Sequence, residues 1–298
     1  MTIAITGGSG KLGRLAAEFA LETARARELV VTTRTPQSLA DLADRGADVR
    51  YADFDRPESL RSAFAGVDRL LVISASNATG KRHDEHSAAI AAAQAAGVRR
   101  ILFTSMPNVD DHSHPSGLVA EEYRDAEQMI ADSGLPYTIL RIAPYAELNA
   151  VERFVLFTDD GTLRMNSGDG RIAFISRRDV AASAAAALVG DDFENQIIDI
   201  TGAGLHTFAE VAAMVSSVIG QKVDFESIGD EEFRAARLAA GDSTLLAEAL
   251  TGTGKAFREG YFEVQTSHAA RLLGQQPQEL AGIIAGNATL LKAGLSAG

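Results

Sequence analysis

The chain contains no cysteine, which removes disulfide bonds, thiolate zinc sites and cysteine nucleophiles together. It also lacks any run of about 18 or more apolar residues, so no segment reads as a membrane-spanning helix. Basic blocks are missing as well. A formal net charge of −12 repels a phosphate backbone, and no cluster of Lys and Arg is large enough to reverse that, so nucleic acid is not an expected partner. Met1 leads directly into the apolar Ile3-Ala4-Ile5, without the basic start, long apolar stretch and cleavage site of a secretory signal; the expected address is cytoplasmic. What remains is an ordinary globular composition, 46% hydrophobic and 23% charged over 298 residues. That length suits one large domain, or a main domain with a smaller appendage. The expected partner is a small molecule, and a homodimer is an assembly open to such a chain.

From Thr2 to Arg141, short β-branched runs alternate with Ala-rich helical stretches. The runs are Ile3–Ile5, Leu29–Thr32, Asp48–Tyr51, Leu70–Ile73, Ile101–Thr104 and Tyr137–Leu140. This alternation is the signature of βαβ units, hence of an α/β fold with a doubly wound parallel sheet covered on both faces. Beyond Arg141 the pattern loosens: a helix at Asp179 to Val189, a strand at Gln196 to Ile200, a helix at Phe208 to Ile219, a strand at Lys222 to Phe225, then mostly helix. The expected division is a nucleotide-binding domain over 1–150 and a smaller α+β lobe over 151–298, with the chain crossing back to the main sheet near 171–200. Gly202-Ala203-Gly204 and Gly252-Thr253-Gly254 read as flexible joints.

Gly7-Gly8-Ser9-Gly10-Lys11-Leu12-Gly13 lies between the first strand and the first helix. There a dinucleotide pyrophosphate approaches main-chain N–H groups and a helix N-terminus, and side chains at the glycines would block it. Three glycines at this spacing are a weak signal alone, but the preceding strand and the amphipathic stretch after it supply the context the chemistry needs. Sheets that select NAD place an acidic residue about 20 positions further on, to accept from the ribose hydroxyls. This chain has Thr32-Thr33-Arg34 instead. A guanidinium cannot accept those hydrogen bonds but pairs in a fork with the 2′-phosphate of NADP, so NADP(H) is the expected cofactor; the alternative for Arg34 is a solvated surface side chain. Asp53-Phe54 follows the third strand, where a carboxylate suits the adenine amino group or a turn before Pro57. Ser74-Ala75-Ser76 ends the fourth strand and lines either the ribose side of the crevice or a tight turn.

With these residues placed, the chain resembles the NmrA-like, atypical branch of the short-chain dehydrogenase/reductase superfamily. Within it the chain looks most similar to the NADPH-dependent quinone reductases and triphenylmethane dye reductase. The resemblance runs through the glycine loop, Arg34, Phe64-Ala65-Gly66-Val67, Ala95-Ala96-Gly97-Val98, Ala131-Asp132-Ser133-Gly134 and Tyr137-Thr138-Ile139-Leu140-Arg141. It implies a Rossmann-type NADP-binding domain with a small C-terminal lobe, and a nicotinamide near Ile142, Ala143, Pro144 and Tyr145. It also puts Ser105 in the position of the superfamily's active-site serine, where its hydroxyl holds a carbonyl oxygen or caps the following turn. Three departures stand out. Ile142 replaces the usual Asn, Gln128 stands where such relatives often have Lys, and Tyr123 is followed four residues later by Glu127 rather than by the Lys of Tyr-x-x-x-Lys. That Lys lowers the tyrosine pKa so that the phenol can protonate an alkoxide; a carboxylate favours the neutral phenol.

Hydride transfer belongs to the cofactor, and the protein mainly aligns the acceptor and excludes water. A quinone yields a delocalised, weakly basic anion that water can protonate, so a missing general acid costs less than it would for a plain ketone. The expected activity is therefore NADPH-dependent reduction of a quinone-like or conjugated aromatic acceptor. Tyr145, Tyr123 and Ser105 are the candidate catalytic residues, and Phe174 and Tyr261-Phe262 are possible pocket aromatics or core. The rival is a non-catalytic NADP-binding redox sensor; a sugar-nucleotide epimerase ranks last, because it needs the Tyr-Lys pair. His83 and His86 read as a solvated helix start rather than metal ligands, and His112 and His114 as part of a mobile substrate-side loop. No metal is expected.

Overall fold

The computed structural model describes residues 1–23, 28–74 and 81–295. Ala75 and Ser76, two of the expected crevice residues, lie outside the described residues. Strands β1 (Ile3–Ile5), β2 (Leu29–Thr33), β3 (Asp48–Tyr51), β4 (Arg69–Val72), β5 (Arg100–Ser105) and β6 (Tyr137–Ile142) alternate with helices α1 (Lys11–Thr23), α2 (Ala40–Asp44), α3 (Pro57–Ala63), α4 (Arg82–Ala96) and α5 (Leu118–Asp132). A turn of π-helix at Glu147–Glu152 then leads into α6 (Arg153–Phe157), the short β7 (Thr158–Asp159) and β8 (Thr162–Met165), α7 (Arg177–Val189) and β9 (Gln196–Ile200). The remainder is α8 (Phe208–Ile219), β10 (Asp224–Ser227), α9 (Asp230–Ala239), α10 (Thr244–Arg258), α11 (His268–Leu273), α12 (Leu280–Gly286) and α13 (Ala288–Leu295).

The main sheet runs β3-β2-β1-β4-β5-β6-β9, every neighbouring pair parallel. This is a Rossmann-type order with its reversal between β1 and β4, the place where ligands bind outside the strands' carboxyl ends. Side-chain alternation assigns each strand to two cores. Ile3, Ile5, Val31, Leu71, Leu102 and Leu140 pack beneath α1 and α7. Ala4, Val30, Leu70, Val72, Ile101 and Phe103 face α3, α4 and α5. A strand buried on both faces has to be apolar at consecutive positions, which is why these runs read so plainly in the sequence.

The segment Gln196–Ile200 closes the main sheet as its seventh strand, with Ile200 beside Ile142. The three-stranded sheet β10-β8-β7 and helices α8, α10 and α12 share a separate core built on Phe154, Phe174, Phe208 and Phe257. The two expected joints are instead tight packing points. Gly252 and Gly254 lie inside α10, where a Cβ on Gly254 would stand 1.8 Å from Asn166 Oδ1 and one on Gly252 2.5 Å from the Pro115 carbonyl oxygen. At Gly202 a Cβ would stand 1.9 Å from the Phe174 oxygen. Glycine serves here for close approach of neighbouring chain segments. No helix among the described residues is long and apolar enough to cross a membrane.

Candidate cofactor and acceptor site

The loop between β1 and α1 turns at Gly7, whose φ of +66° is the left-handed conformation that side chains disfavour. Gly8 donates its N–H to the Thr32 carbonyl at 2.9 Å and Gly10 donates to Gly7 at 2.8 Å, which ties the loop to the end of β2. A Cβ on Gly13 would stand 2.3 Å from the Gly7 oxygen, so only glycine lets α1 start this close to the strand. The N–H groups of Lys11, Leu12 and Gly13 have no acceptor among the described residues. Three unspent donors at the positive end of a 13-residue helix form a cradle that suits a pyrophosphate. Leu12 itself is 8% exposed and turns into the core, so what it offers a ligand is its main chain. Ser9 is bonded to Thr33 at 2.9 Å, and Lys11 pairs with Glu152 at 2.9 Å across to the turn of π-helix.

Arg34 follows β2 directly, is exposed, and makes no hydrogen bond or ion pair among the described residues. Its charge also acts weakly on Glu85, whose carboxyl burial pushes up and Arg82, Lys81 and Arg34 partly restrain. A free guanidinium at the place where NAD-selective sheets carry a carboxylate fits a 2′-phosphate. Asp53 spends one carboxylate oxygen on the Asp55 N–H at 3.2 Å and the other on the Tyr51 hydroxyl at 3.4 Å, so it shapes the turn before α3. Half-buried Phe54 packs against the core beside it.

Ser74 leaves β4 with its N–H on Thr104 Oγ1 at 2.9 Å and its hydroxyl 2.9 Å from His86 Nε2. His86 is 2% exposed, lies edge-on to Phe103 with ring centroids 4.9 Å apart, and sits 5.9 Å from the Tyr123 ring. Burial, reinforced by the Arg82 charge, pulls its pKa down to about 3. The expectation of a solvated histidine pair therefore fails for His86, whereas His83 meets Asp125 near the surface. His114 also departs from expectation. It is 4% exposed, accepts the Ser116 N–H at Nδ1, and packs on Tyr261 with centroids 4.6 Å apart. A polar stretch gave no sign of that ring contact, because Tyr261 is distant in sequence.

The departure at Glu127 becomes intelligible in three dimensions. Glu127 receives the Ser105 hydroxyl at 2.6 Å and both arms of Arg141 at 3.0 and 2.7 Å, while Arg141 also holds Asp110 at 2.9 Å. Burial pulls Arg141 down, but Glu127 and Asp110 together raise it, which leaves the guanidinium above its ordinary pKa. This network pins α5 to the ends of β5 and β6. It commits the Ser105 proton to a carboxylate, so Ser105 is structural rather than a hydroxyl aimed at a carbonyl. It also removes Glu127 from Tyr123. The cation beside Tyr123 is Arg82, its guanidinium 5.2 Å from the ring centroid. Gln128 is exposed and bonded to Asp132.

Tyr145 and Tyr123 are within electrostatic reach of each other, and neither hydroxyl has a hydrogen-bond partner among the described residues. Burial first, and then Tyr123, push the Tyr145 phenol well above its ordinary pKa, with Arg177 pulling the other way from 5.3 Å over the ring. Glu147 accepts the Arg177 main-chain N–H with both oxygens, and Asn149 donates to the Tyr145 carbonyl at 3.0 Å, which holds the main chain at both residues. Ile142 is 8% exposed in the core, and Ala143 donates its N–H to Ile200 at 3.0 Å. The side chains of both thus belong to the wall rather than to an open contact surface. Phe174 and Phe262 are core residues, and Tyr261 is tied to Asp111 and Ser113, so the expected aromatic pocket reduces to Tyr123 and Tyr145. A cleft of about 280 Å³ is lined by Arg82, Ser116, Val119, Glu122, Leu245 and Ala249 among others, and Arg82 joins its wall to the Tyr123 ring. Arg82, Glu147, Asn149 and Arg177 escaped sequence reasoning, because none stands in a motif and each acquires meaning from its neighbour in space.

A parallel sheet with its reversal at β1/β4, an anion cradle beside it and a free guanidinium at the end of β2 define a Rossmann-type dinucleotide-binding protein. The comparisons with known proteins make that specific. The chain belongs to the NAD(P)H-binding family, whose model matches residues 7–191, and it is an NAD(P)H-dependent oxidoreductase. It is 34% identical to quinone oxidoreductase 2 of Escherichia coli over 279 residues, 94% of this chain and 96% of that one. Among solved structures it is similar to the NADPH-dependent quinone oxidoreductase of E. coli complexed with NADPH, with a TM-score of 0.89, 33% identity, and coverage of 96% and 99%. The triphenylmethane reductase of Citrobacter sp. complexed with NADP(H) gives a TM-score of 0.86 at 28% identity, covering 97% and 100%. The resemblance to NmrA-like reductases is thereby borne out.

Proposed function

We propose that this protein reduces a quinone-like or other conjugated aromatic acceptor, with NADPH as the electron donor selected through Arg34. The carrying observation is the pair of phenols, Tyr123 and Tyr145, that lie within electrostatic reach of each other with no hydrogen-bond partner for either hydroxyl among the described residues, while Arg82, stacked near the Tyr123 ring, also lines a cleft of about 280 Å³. Small-ligand pockets start at roughly 300 Å³. NADPH, when bound, supplies the hydride. The residues of this chain hold and orient: the N–H groups of Lys11, Leu12 and Gly13 take the pyrophosphate, Arg34 the 2′-phosphate, and Ser74 and the strand ends the sugar side.

A phenol whose pKa is raised by burial keeps its proton, so it remains able to donate a hydrogen bond to a carbonyl oxygen but is a poor acid toward an alkoxide. That combination suits an acceptor whose reduced anion is delocalised and picks up its proton from water. Ionised Lys is absent from the position four residues after Tyr123, and Glu127 is locked to Arg141, so the chemistry of an ordinary ketone reductase has no acid here. The names of the relatives, a quinone oxidoreductase and a triphenylmethane reductase, support the same class of acceptor.

The test mixes purified protein with NADPH and a panel of benzoquinones and naphthoquinones and follows loss of nicotinamide absorbance. Turnover well above the uncatalysed rate, reduced by Tyr145→Phe, is expected. Tight NADPH binding without turnover on any acceptor would instead favour an NADP-binding sensor.

A further inference from the structure

Arg177 opens α7 and is carried to Tyr145 by the main chain. Tyr145 and Ile175 form a parallel bridge, in which Ala146 donates its N–H to the Ile175 carbonyl at 2.8 Å and Ile175 donates to Pro144 at 3.2 Å. Glu147 then accepts the Arg177 main-chain N–H with both carboxylate oxygens, at 2.9 and 3.0 Å. These bonds leave the guanidinium 5.3 Å from the centroid of the Tyr145 ring, and the side chain forms no hydrogen bond or ion pair among the described residues. Other cations named in this site are paired: Lys11 with Glu152, Arg82 with Glu122 and Arg141 with Glu127. A half-buried cation without a counter-ion loses hydration that nothing in the protein replaces. Tyr145 is half-buried as well, and its hydroxyl also lacks a hydrogen-bond partner among the described residues. A free donor and a free positive charge at one ring suit a ligand oxygen that carries negative charge.

We infer that Tyr145 and Arg177 form an oxyanion subsite, the phenol donating to a phenolate-type oxygen of the reduced acceptor and the guanidinium balancing its charge. The inference rests on the acceptor reading above and names the chemistry that this site binds best. When a quinone takes up hydride from bound NADPH, it gains two electrons and one hydrogen, and the nicotinamide is oxidised to NADP+. One acceptor oxygen is then anionic until water supplies a proton. The neutral quinone carries no such charge, so the guanidinium acts more strongly as charge develops than on the substrate, which raises kcat rather than lowering KM. Burial alone would disfavour that anion, as it does the anion of Tyr145 itself, and Arg177 is the positive charge that acts against this. Glu147 adds a smaller opposing charge.

The test reads binding of 4-nitrophenol, whose anion is a coloured phenolate, and of 4-nitrotoluene, a neutral counterpart, to the protein saturated with NADP+. The nucleotide is present in every arm, so its charge cancels between variants. Arg177→Met keeps the stem over the ring and removes the charge. It should weaken the phenolate roughly 10- to 100-fold, the range of a hydrogen bond to a charged group, and leave 4-nitrotoluene within about threefold. The pKa of bound 4-nitrophenol should accordingly be higher by about 1 or more in the variant. Arg177→Gln, neutral but polar, makes the same comparison if Arg177→Met does not fold. In quinone turnover the substitution should lower kcat more than it changes KM. Equal loss of the two probes, or an unchanged pKa of bound nitrophenol, would show that Arg177 only packs on the ring and would overturn the subsite. A wild type that holds the phenolate through Arg177 but turns over no quinone would sink the acceptor reading and leave the subsite standing. Quinone turnover without that phenolate preference would do the reverse.

Discussion

Replacing Arg34 is the most direct probe of how this site chooses its cofactor. The guanidinium is exposed and has no hydrogen bond or ion pair among the described residues, so Arg34→Ala removes no internal contact and changes in affinity report the ligand. A hydrogen bond to a charged group contributes about 1.5–3 kcal/mol, which corresponds to roughly a 10- to 150-fold weaker NADPH complex. NADH has no 2′-phosphate, and its affinity should stay within about threefold, since an exposed charge without a partner contributes little. Arg34→Asp should go further, repelling the phosphate while offering an acceptor to the ribose hydroxyls, and so bring NADH level with or ahead of NADPH. Because the contact is exposed, the wild-type preference should also shrink as salt is raised and the Debye length falls below about 8 Å. Titration of nicotinamide fluorescence with both cofactors, at two salt concentrations, measures all of this. Equal losses for NADPH and NADH in Arg34→Ala would refute the 2′-phosphate contact.

The loop geometry predicts that Gly13→Ala, whose Cβ would meet the Gly7 carbonyl at 2.3 Å, costs about 1–3 kcal/mol through overpacking. It should lower the melting temperature and weaken NADPH binding; a variant with wild-type affinity would show that the cradle tolerates movement. For His86 the folded pKa lies near 3 against an ordinary 6.5, so between those values the unfolded chain binds a proton that the native state refuses. Its contribution is complete above pH 6.5 and is lost as pH falls toward 3, at about 1.4 kcal/mol per unit. Urea denaturation at pH 7 and pH 4.5 should therefore show a loss of roughly 2–3 kcal/mol from this group, absent in His86→Gln; an equal loss in the variant would assign it elsewhere. Ser105→Ala removes one donor from buried Glu127 and should lower stability by about 1–3 kcal/mol with little effect on turnover. A large fall in kcat at unchanged melting temperature would restore Ser105 to the chemistry.

Much of the cofactor half was legible in the linear chain because its determinants are local. Main-chain donors, the glycines that expose them and the strand before them occupy consecutive residues, and Arg34 needs only its place at the end of β2. The acceptor half was not. Ser105 looked available until Glu127 and Arg141, from two other elements, were found to hold it. Gly252 and Gly254 looked like a hinge until α10 was seen to press against Asn166 and Pro115. His86 and His114 looked solvated because their neighbours in sequence are polar, whereas the aromatic rings that bury them come from elsewhere in the chain.

By itself the sequence determined the parallel sheet and put a glycine loop and an arginine at the ends of its first two strands, since period, chirality and backbone sterics act over a few residues. Only the tertiary structure decided which hydroxyls are spent and which are free. A hydrogen bond or ion pair is fixed by distance in space: Glu127 and His86, from other elements, meet the hydroxyls of Ser105 and Ser74, while the Tyr145 hydroxyl has no hydrogen-bond partner among the described residues.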